Sequence, residues 1–354
     1  MRRTTRREWF AGAAATAIAA AQNAEPVHLP RKVRIGLIGL DGHFYEITGA
    51  LARIPDAVLV AVADPAAASR PQFASIRRYT DYREMLDREQ LDVVGVCNNN
   101  GERAEAVLAC IERKLHVAAE KPLAIKRADL ARIRQALARN KEVRLTTLLP
   151  MRFEPEYLAI KQVAASGEIG EVAQISAQKS YQAGDRPEWY KRRATYGGTI
   201  PWIGIHMIDL MRWSSGREFT EAVSFVSRVG FPELGDMENV TASTFRLDNG
   251  GVATLHMDYL RPEGAPSHGD DRLRLAGTKG IVEYQESTGV TLLTGTKPPR
   301  VIRELPPRRS LFIEFTQSVY LGAAPPLTLD DIFRVNEITL LAQESAERRA
   351  IVKL

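Results

Sequence analysis

Cysteine is nearly absent: Cys97 and Cys110 are the only two in 354 residues. Both fall in stretches that read as core elements, so a buried free pair is expected and a disulfide-stapled scaffold is excluded. An excess of one charge is missing as well. The net charge is +5, but Arg2, Arg3, Arg6 and Arg7 against Glu8 supply +3 of it, leaving +2 for the rest. That balance argues against a nucleic-acid partner. The sequence has no internal repeat, low-complexity tract or heptad array. His256, Asp258, His268, Asp270 and Asp271 lack tight ligand spacing, so no metal site is expected. What remains, 45% hydrophobic and 26% charged residues, is an ordinary globular composition long enough for two domains.

The first residues do not read as part of the fold. Thr5-Arg6-Arg7-Glu8-Trp9-Phe10 precedes an Ala-rich apolar run from Ala11 to Ala21 that is too short for a typical bilayer-spanning helix. It resembles a twin-arginine export signal, with Ala19-Ala20-Ala21 as the small-residue cleavage site. Residues 1–24 are therefore assigned to a signal peptide and linker. The implied partner is the twin-arginine translocase and the implied location is the periplasm or another exported compartment. A disordered basic leader, or an uncleaved interfacial helix, is the competing reading.

After Pro30 short apolar runs alternate with amphipathic stretches, the pattern of parallel β-α-β units. Strands are expected at Val33–Gly39, Val58–Ala63, Asp92–Cys97, His116–Ala119 and Val143–Leu148. Helices are expected at Tyr45–Ile54, Tyr82–Arg88, Arg103–Arg113 and Asp129–Ala138. Beyond Pro150 the runs lengthen and alternate: Val172–Tyr181, Ala222–Val229, Thr241–Leu247, Val252–Tyr259 and Arg272–Ala276. Gly250-Gly251 and Gly277-Thr278-Lys279-Gly280 separate them as hairpin turns, and Leu329–Arg349 closes the chain as a helix. The fold class is α/β: a doubly wound parallel sheet over residues 31–149, then an α+β domain over 150–354 with a large, mostly antiparallel, open-faced sheet.

Ile35-Gly36-Leu37-Ile38-Gly39-Leu40-Asp41-Gly42-His43 ends a strand and opens a helix, where glycines let the backbone approach a pyrophosphate. Asp64 ends the second strand roughly 20 to 25 residues on, where a carboxylate accepts from the adenosine ribose hydroxyls and repels a 2′-phosphate. NAD is thus favoured over NADP. The turn is irregular, because Asp41 and Phe44 stand where the second and third glycines of G-x-G-x-x-G belong. A doubly wound domain that keeps glycines only for turn geometry is the alternative.

Ala119-Glu120-Lys121-Pro122-Leu123 resembles the Glu-Lys-Pro motif of the Gfo/Idh/MocA oxidoreductases, and Gly197-Gly198-Thr199 through His206 and Asp209 resembles the glycine-rich approach to that family's catalytic helix. Ser166-Gly167-Glu168-Ile169-Gly170 and Glu344-Ser345-Ala346 extend the likeness over nearly the whole chain after the leader. The resemblance implies catalytic Lys121 and His206, with Lys121 beside the nicotinamide and His206 facing it from the second domain as proton acceptor or donor. A cis bond before Pro122 fits the motif. The cofactor side is expected to comprise Gly39, Leu40, Asp41, Gly42, His43, Asp64, Asn98, Asn99, Glu120 and Lys121. The substrate side is expected to comprise Arg152, Tyr181, Trp202, His206 and Asp209, although Asp209, one helical turn after His206, also reads as a structural residue of the motif.

Two departures accompany the irregular turn. Trp202 stands four residues before the His, where the family usually has Asp, and Arg103 stands where it usually has His. The stretch Tyr181 to Tyr196 mixes aromatic and hydrogen-bonding residues suited either to a sugar ring or to packing on a neighbouring subunit. The leading expectation is an exported NAD-dependent oxidoreductase moving hydride between nicotinamide and a sugar, cyclitol or related polyol, as a homodimer or homotetramer. An NAD-dependent glycosidase or lyase working by transient oxidation and elimination is the alternative. A sugar-binding or regulatory protein without catalysis ranks last.

Overall fold

A computed structural model describes residues 25–295 and 297–354; the expected export signal lies outside the described residues. The first sheet has six strands: β1 (Val33–Ile38), β2 (Ala57–Ala63), β3 (Arg77–Tyr79), β4 (Val93–Val96), β5 (His116–Ala119) and β6 (Leu145–Thr147). All are parallel, in the order 3-2-1-4-5-6. Ile35, Leu37, Val93, Val94, Val96, Val117 and Ala118 have no exposed surface, as a sheet covered on both faces requires. The helices are α1 (Phe44–Thr48), α2 (Tyr82–Arg88), α3 (Asn100–Glu112) and α4 (Arg127–Arg139). The order reverses between β1 and β4, which opens a crevice at the carboxyl ends of these strands.

Several expected boundaries change. The helix foreseen over Tyr45–Ile54 is only α1, because Gly49 ends it and a separate 3-10 turn, Leu51–Arg53, follows. The third helix begins at Asn100, not at Arg103, because Asn99 caps it with its side-chain oxygen accepting from Glu102 N. β3 was not foreseen: its three residues carry two arginines and almost no apolar pattern. Cys97 and Cys110 are buried and free.

The second sheet has nine strands: β7 (Val172–Tyr181), β8 (Phe219–Ser227), β9 (Val240–Leu247), β10 (Val252–Asp258), β11 (Gly269–Gly277), β12 (Gly280–Gln285), β13 (Gly289–Thr294), β14 (Arg300–Val301) and β15 (Val352–Lys353). Their order is 14-13-12-11-7-10-9-8-15, antiparallel except for β7 beside β10. Both foreseen glycine turns join neighbouring strands, β9 to β10 and β11 to β12. The strict buried–exposed alternation of β9 and β10 leaves one face open. The other face carries α5 (Pro155–Ala165), α7 (Ile205–Ser215) and α9 (Leu329–Arg348), while α6 (Arg193–Tyr196) packs on α3 and α8 (Leu311–Tyr320) on α1 of the first domain. The two halves are tied where Leu123 N donates to the buried Asn336 side chain of α9 at 2.7 Å, just beyond Lys121.

Candidate active site

Glycine geometry builds the first wall. Gly39 and Gly42 both have positive φ, +78° and +59°, and a side chain on either would collide with its neighbour. At Gly39 an added Cβ would fall 2.5 Å from Asn98 backbone; at Gly42, 2.6 Å from the Glu120 carboxylate. Asp41, between them where the second glycine of the pattern belongs, is not among the residues with positive φ. The price of this tight turn is used-up donors. Gly39 N donates to Ala63 O, Leu40 N to Asp64 Oδ2, Asp41 N to Cys97 O and His43 N to Glu120 Oε2.

Asp64 accepts from Leu40 N at 2.9 Å and Ala66 N at 2.6 Å, which leaves part of its acceptor capacity for hydroxyls. The Asp41 carboxyl is half-buried and shifted up, first by burial and then by the Asp64 charge. Asn98 and Asn99 part company. Asn99 is spent capping α3, and its amide reaches Glu102, whereas Asn98 Oδ1 is buried with no partner. Arg103, fully buried, ties the Asn98 and Pro122 carbonyls to the Asn100 side chain and so fixes the ends of β4 and β5.

Glu120 and Lys121 follow β5, and the Lys121–Pro122 bond is cis. Burial works to raise the Glu120 carboxyl, but His43, Lys121 and Arg103 outweigh it and hold it below its usual range. Its oxygens lie 2.9 and 3.0 Å from His43 Nδ1. Lys121, 2% exposed, donates to the Trp202 carbonyl at 2.7 Å and lies 3.4 Å from the centre of the Trp202 ring. Burial, with Lys179 and Arg103 adding repulsion, brings its ammonium down to about 7.

Trp202 lies in a π-helical turn, Ile200–Gly204, leading into α7, a feature frequent at functional sites. It is buried, stacked edge-on by Trp189 and Tyr190, and is not a wall of the open cleft. Where the pattern called for a carboxylate to orient His206, this residue holds Lys121 instead. Trp189 and Tyr190 show that the Tyr181–Tyr196 stretch folds back on its own chain.

His206 is 4% exposed and reaches the floor of a cleft of about 370 Å³ between α1 and the second sheet. Its Nδ1 has no partner, and its ring meets that of His43 edge-on at 5.1 Å. Burial first, then the charges of Lys121 and Lys179, push its imidazolium far below the usual histidine range. A neutral imidazole accepts a proton at its unprotonated ring nitrogen.

Arg152 and Asp209 do not reach this cleft as expected. They pair with each other in two hydrogen bonds of 2.7 and 2.5 Å, both nearly inaccessible, with Asp331 at 3.2 Å on the other side of the guanidinium. A buried arginine needs its charge compensated, and the helix turn that carries Asp209 supplies it. Tyr181 does line the cleft, its ring stacked on His268.

The sequence reading missed Lys179. It is 1% exposed, lines the cleft, and donates to Asp271 Oδ2 at 2.7 Å from the directly opposite position on β11. The signal was present: Lys179 falls in phase with inward-facing Ile175 and Ala177, and Asp271 with Leu273 and Leu275. Glu46, Glu154, Glu156 and Arg308, also unforeseen, complete the rim.

The fold and this site define a two-domain, NAD-binding oxidoreductase. Residues 33–148 match the oxidoreductase family with an NAD-binding Rossmann fold, and residues 157–283 match the GFO/IDH/MocA C-terminal domain. A solved protein of Thermotoga maritima is 32% identical and superposes with a TM-score of 0.86, over 91% of this chain and all (100%) of its own. Myo-inositol 2-dehydrogenase of the same organism is 27% identical over 338 residues, 91% of this chain and 98% of that one. A levoglucosan dehydrogenase in complex with NADH, 19% identical, shares the fold with a TM-score of 0.78 over 91% of this chain and 99% of that one. The chain belongs to the Gfo/Idh/MocA oxidoreductase family.

The residues present fit the cofactor at both ends. Asp64 has acceptor capacity for the adenosine ribose, and the orphaned Asn98 Oδ1 is a buried acceptor just beyond the carboxyl end of β4. Between them, the spent amides and the Asp41 carboxyl make the pyrophosphate stretch the poorest match.

Proposed function

We propose that this protein oxidises a secondary carbinol of a sugar, cyclitol or related polyol, with Asp64, Gly42, Asn98 and Lys121 holding NAD. The observation that carries this reading is the neutral His206 at the floor of a polar cleft, beside the buried amino groups of Lys121 and Lys179. Bound NAD supplies a hydride acceptor. His206 takes the hydroxyl proton as the carbinol carbon gives up its hydride, so a ketone forms and no charge is left on oxygen. Lys121 and Lys179 stabilise the oxygen while it carries negative charge. The Asp271 contact fixes the Lys179 ammonium in place. Relatives that act on inositol support the substrate class.

We also propose export through the twin-arginine leader and assembly into homo-oligomers. Accumulation of a cytoplasmic precursor when Arg6 and Arg7 are both replaced by lysine supports export, and an unchanged location opposes it. The catalytic reading is tested by incubating NAD-loaded protein with a polyol panel and following NADH. Stoichiometric ketone and NADH that vanish in His206→Ala support it. Release of an aglycone with no net NADH moves the reading to transient oxidation and elimination. Turnover surviving in both Lys121→Ala and His206→Ala refutes it.

A further inference from the structure

The cleft above His206 is electrically lopsided. Five carboxylates face it, from Glu46, Glu154, Glu156, Asp271 and Glu286, against the basic side chains of Lys179 and Arg308. Glu46 and Glu154 share Arg308, at 3.5 and 2.8 Å. Asp271 gives one oxygen to Lys179, and its Oδ1 is buried with no partner. Glu286 accepts only from the Ser267 hydroxyl, and among the described residues no cation pairs with Glu156.

Four of these carboxylates act together on Tyr284. The Tyr284 phenol is raised by burial first and then by Glu156, Glu286, Asp271 and Glu154 together. Tyr157 packs edge-on against Tyr284 at 5.4 Å, so two aromatic rings stand among the carboxylates. Burial likewise lifts Glu46, Glu154 and Glu156, a desolvation cost that Arg308 offsets only in part. Carboxylates and aromatic faces together are the surroundings an organic ammonium requires. His206 lines the same cleft, 4% exposed and under the positive field of Lys121 and Lys179.

We propose that the substrate is an amino-substituted polyol whose ammonium sits beside Tyr284 in the cleft and whose carbinol is thereby presented to His206. This rests on the polyol-oxidoreductase reading and names its substrate class. Sugar phosphates and sugar acids are repelled by the same carboxylates.

The test compares glucosamine with glucose, an aminodeoxy-inositol with myo-inositol, and glucuronate as the anionic control, using NAD-loaded full-length protein. Calorimetric binding is measured beside NADH formation. The expected result is a preference of at least about tenfold in kcat/KM for each ammonium compound over its neutral parent at pH 7, weakened by added salt, with glucuronate poorest. Replacing the two carboxylates that have no cation partner among the described residues, Glu156→Gln with Glu286→Gln, is expected to cut that ratio several-fold. Equal or better use of the neutral parents, a ratio unmoved by the double variant, or no binding of either ammonium compound at millimolar concentration overturns the proposal. Selective binding of the ammonium compounds without NADH formation instead overturns the oxidoreductase reading and keeps the ligand class.

Discussion

Replacing Asp209 by alanine separates a structural role from a substrate role. The wild-type carboxylate makes two bonds of 2.7 and 2.5 Å to Arg152, with the two side chains 2% and 5% exposed. Removing one partner of such a pair leaves an uncompensated buried charge, which costs about 3 to 5 kcal/mol. Arg152 retains Asp331 at 3.2 Å, itself 35% exposed, so the loss falls at the lower end. At about 3 kcal/mol, and about 2 to 4 °C per kcal/mol for a domain of this size, Asp209→Ala is expected to lower Tm by about 6 to 12 °C. Thermal unfolding with a parallel denaturant midpoint is the assay. The double variant Arg152→Met with Asp209→Leu, which removes both charges, is expected to recover most of the loss. A shift under about 1 kcal/mol in Asp209→Ala, accompanied by a large rise in KM for the polyol, would refute the reasoning and return Asp209 to the substrate.

His206→Ala should lower kcat by about 10² to 10⁴ while NAD binding, followed by calorimetry, is kept; loss of NAD binding with little change in chemistry would contradict the assignment. Lys121 releases its proton at about 7 in the folded protein against an ordinary value of 10.5. The unfolded chain therefore holds more protons between those two pH values, and stability rises with pH across that window. Lys121→Met is expected to stabilise the protein most below pH 7 and progressively less toward pH 10.5, as read by denaturant midpoints. A gain independent of pH would contradict this account. Asp41→Asn should tighten NAD binding several-fold, more at low salt, whereas Asp64→Ala should weaken it and narrow the preference over NADP. Titrations with both nucleotides check the pair.

Local signals carried much of the site because the chemistry demands them locally. Gly39 and Gly42 are required by backbone angle, Asp64 by its place at a strand end, and Glu120-Lys121-Pro122 by the exit from β5. Periodicity likewise announced both sheets, with the parallel one covered and the second half-open. It failed at β3 and at the first helix, where three residues or a single glycine decide the outcome.

Pairing across the chain was a different matter. Arg152 and Asp209 are separated by 57 residues, Lys179 and Asp271 by 92. Alternation shows that Lys179 points inward with Ile175 and Ala177, but not that a cleft lies beneath it, since only the packing of β7 against β11 and the first domain creates that cleft. Trp202 shows the same limit. Its identity announced the loss of a carboxylate beside His206; only the fold showed its ring and carbonyl turned to Lys121. The sequence alone determined the glycine turn, the order of motifs and the residue types, which are properties of local backbone and covalent chemistry. Tertiary structure decided which buried charges neutralise one another and which are left for a ligand, because electrostatic compensation depends on distances that no local pattern encodes.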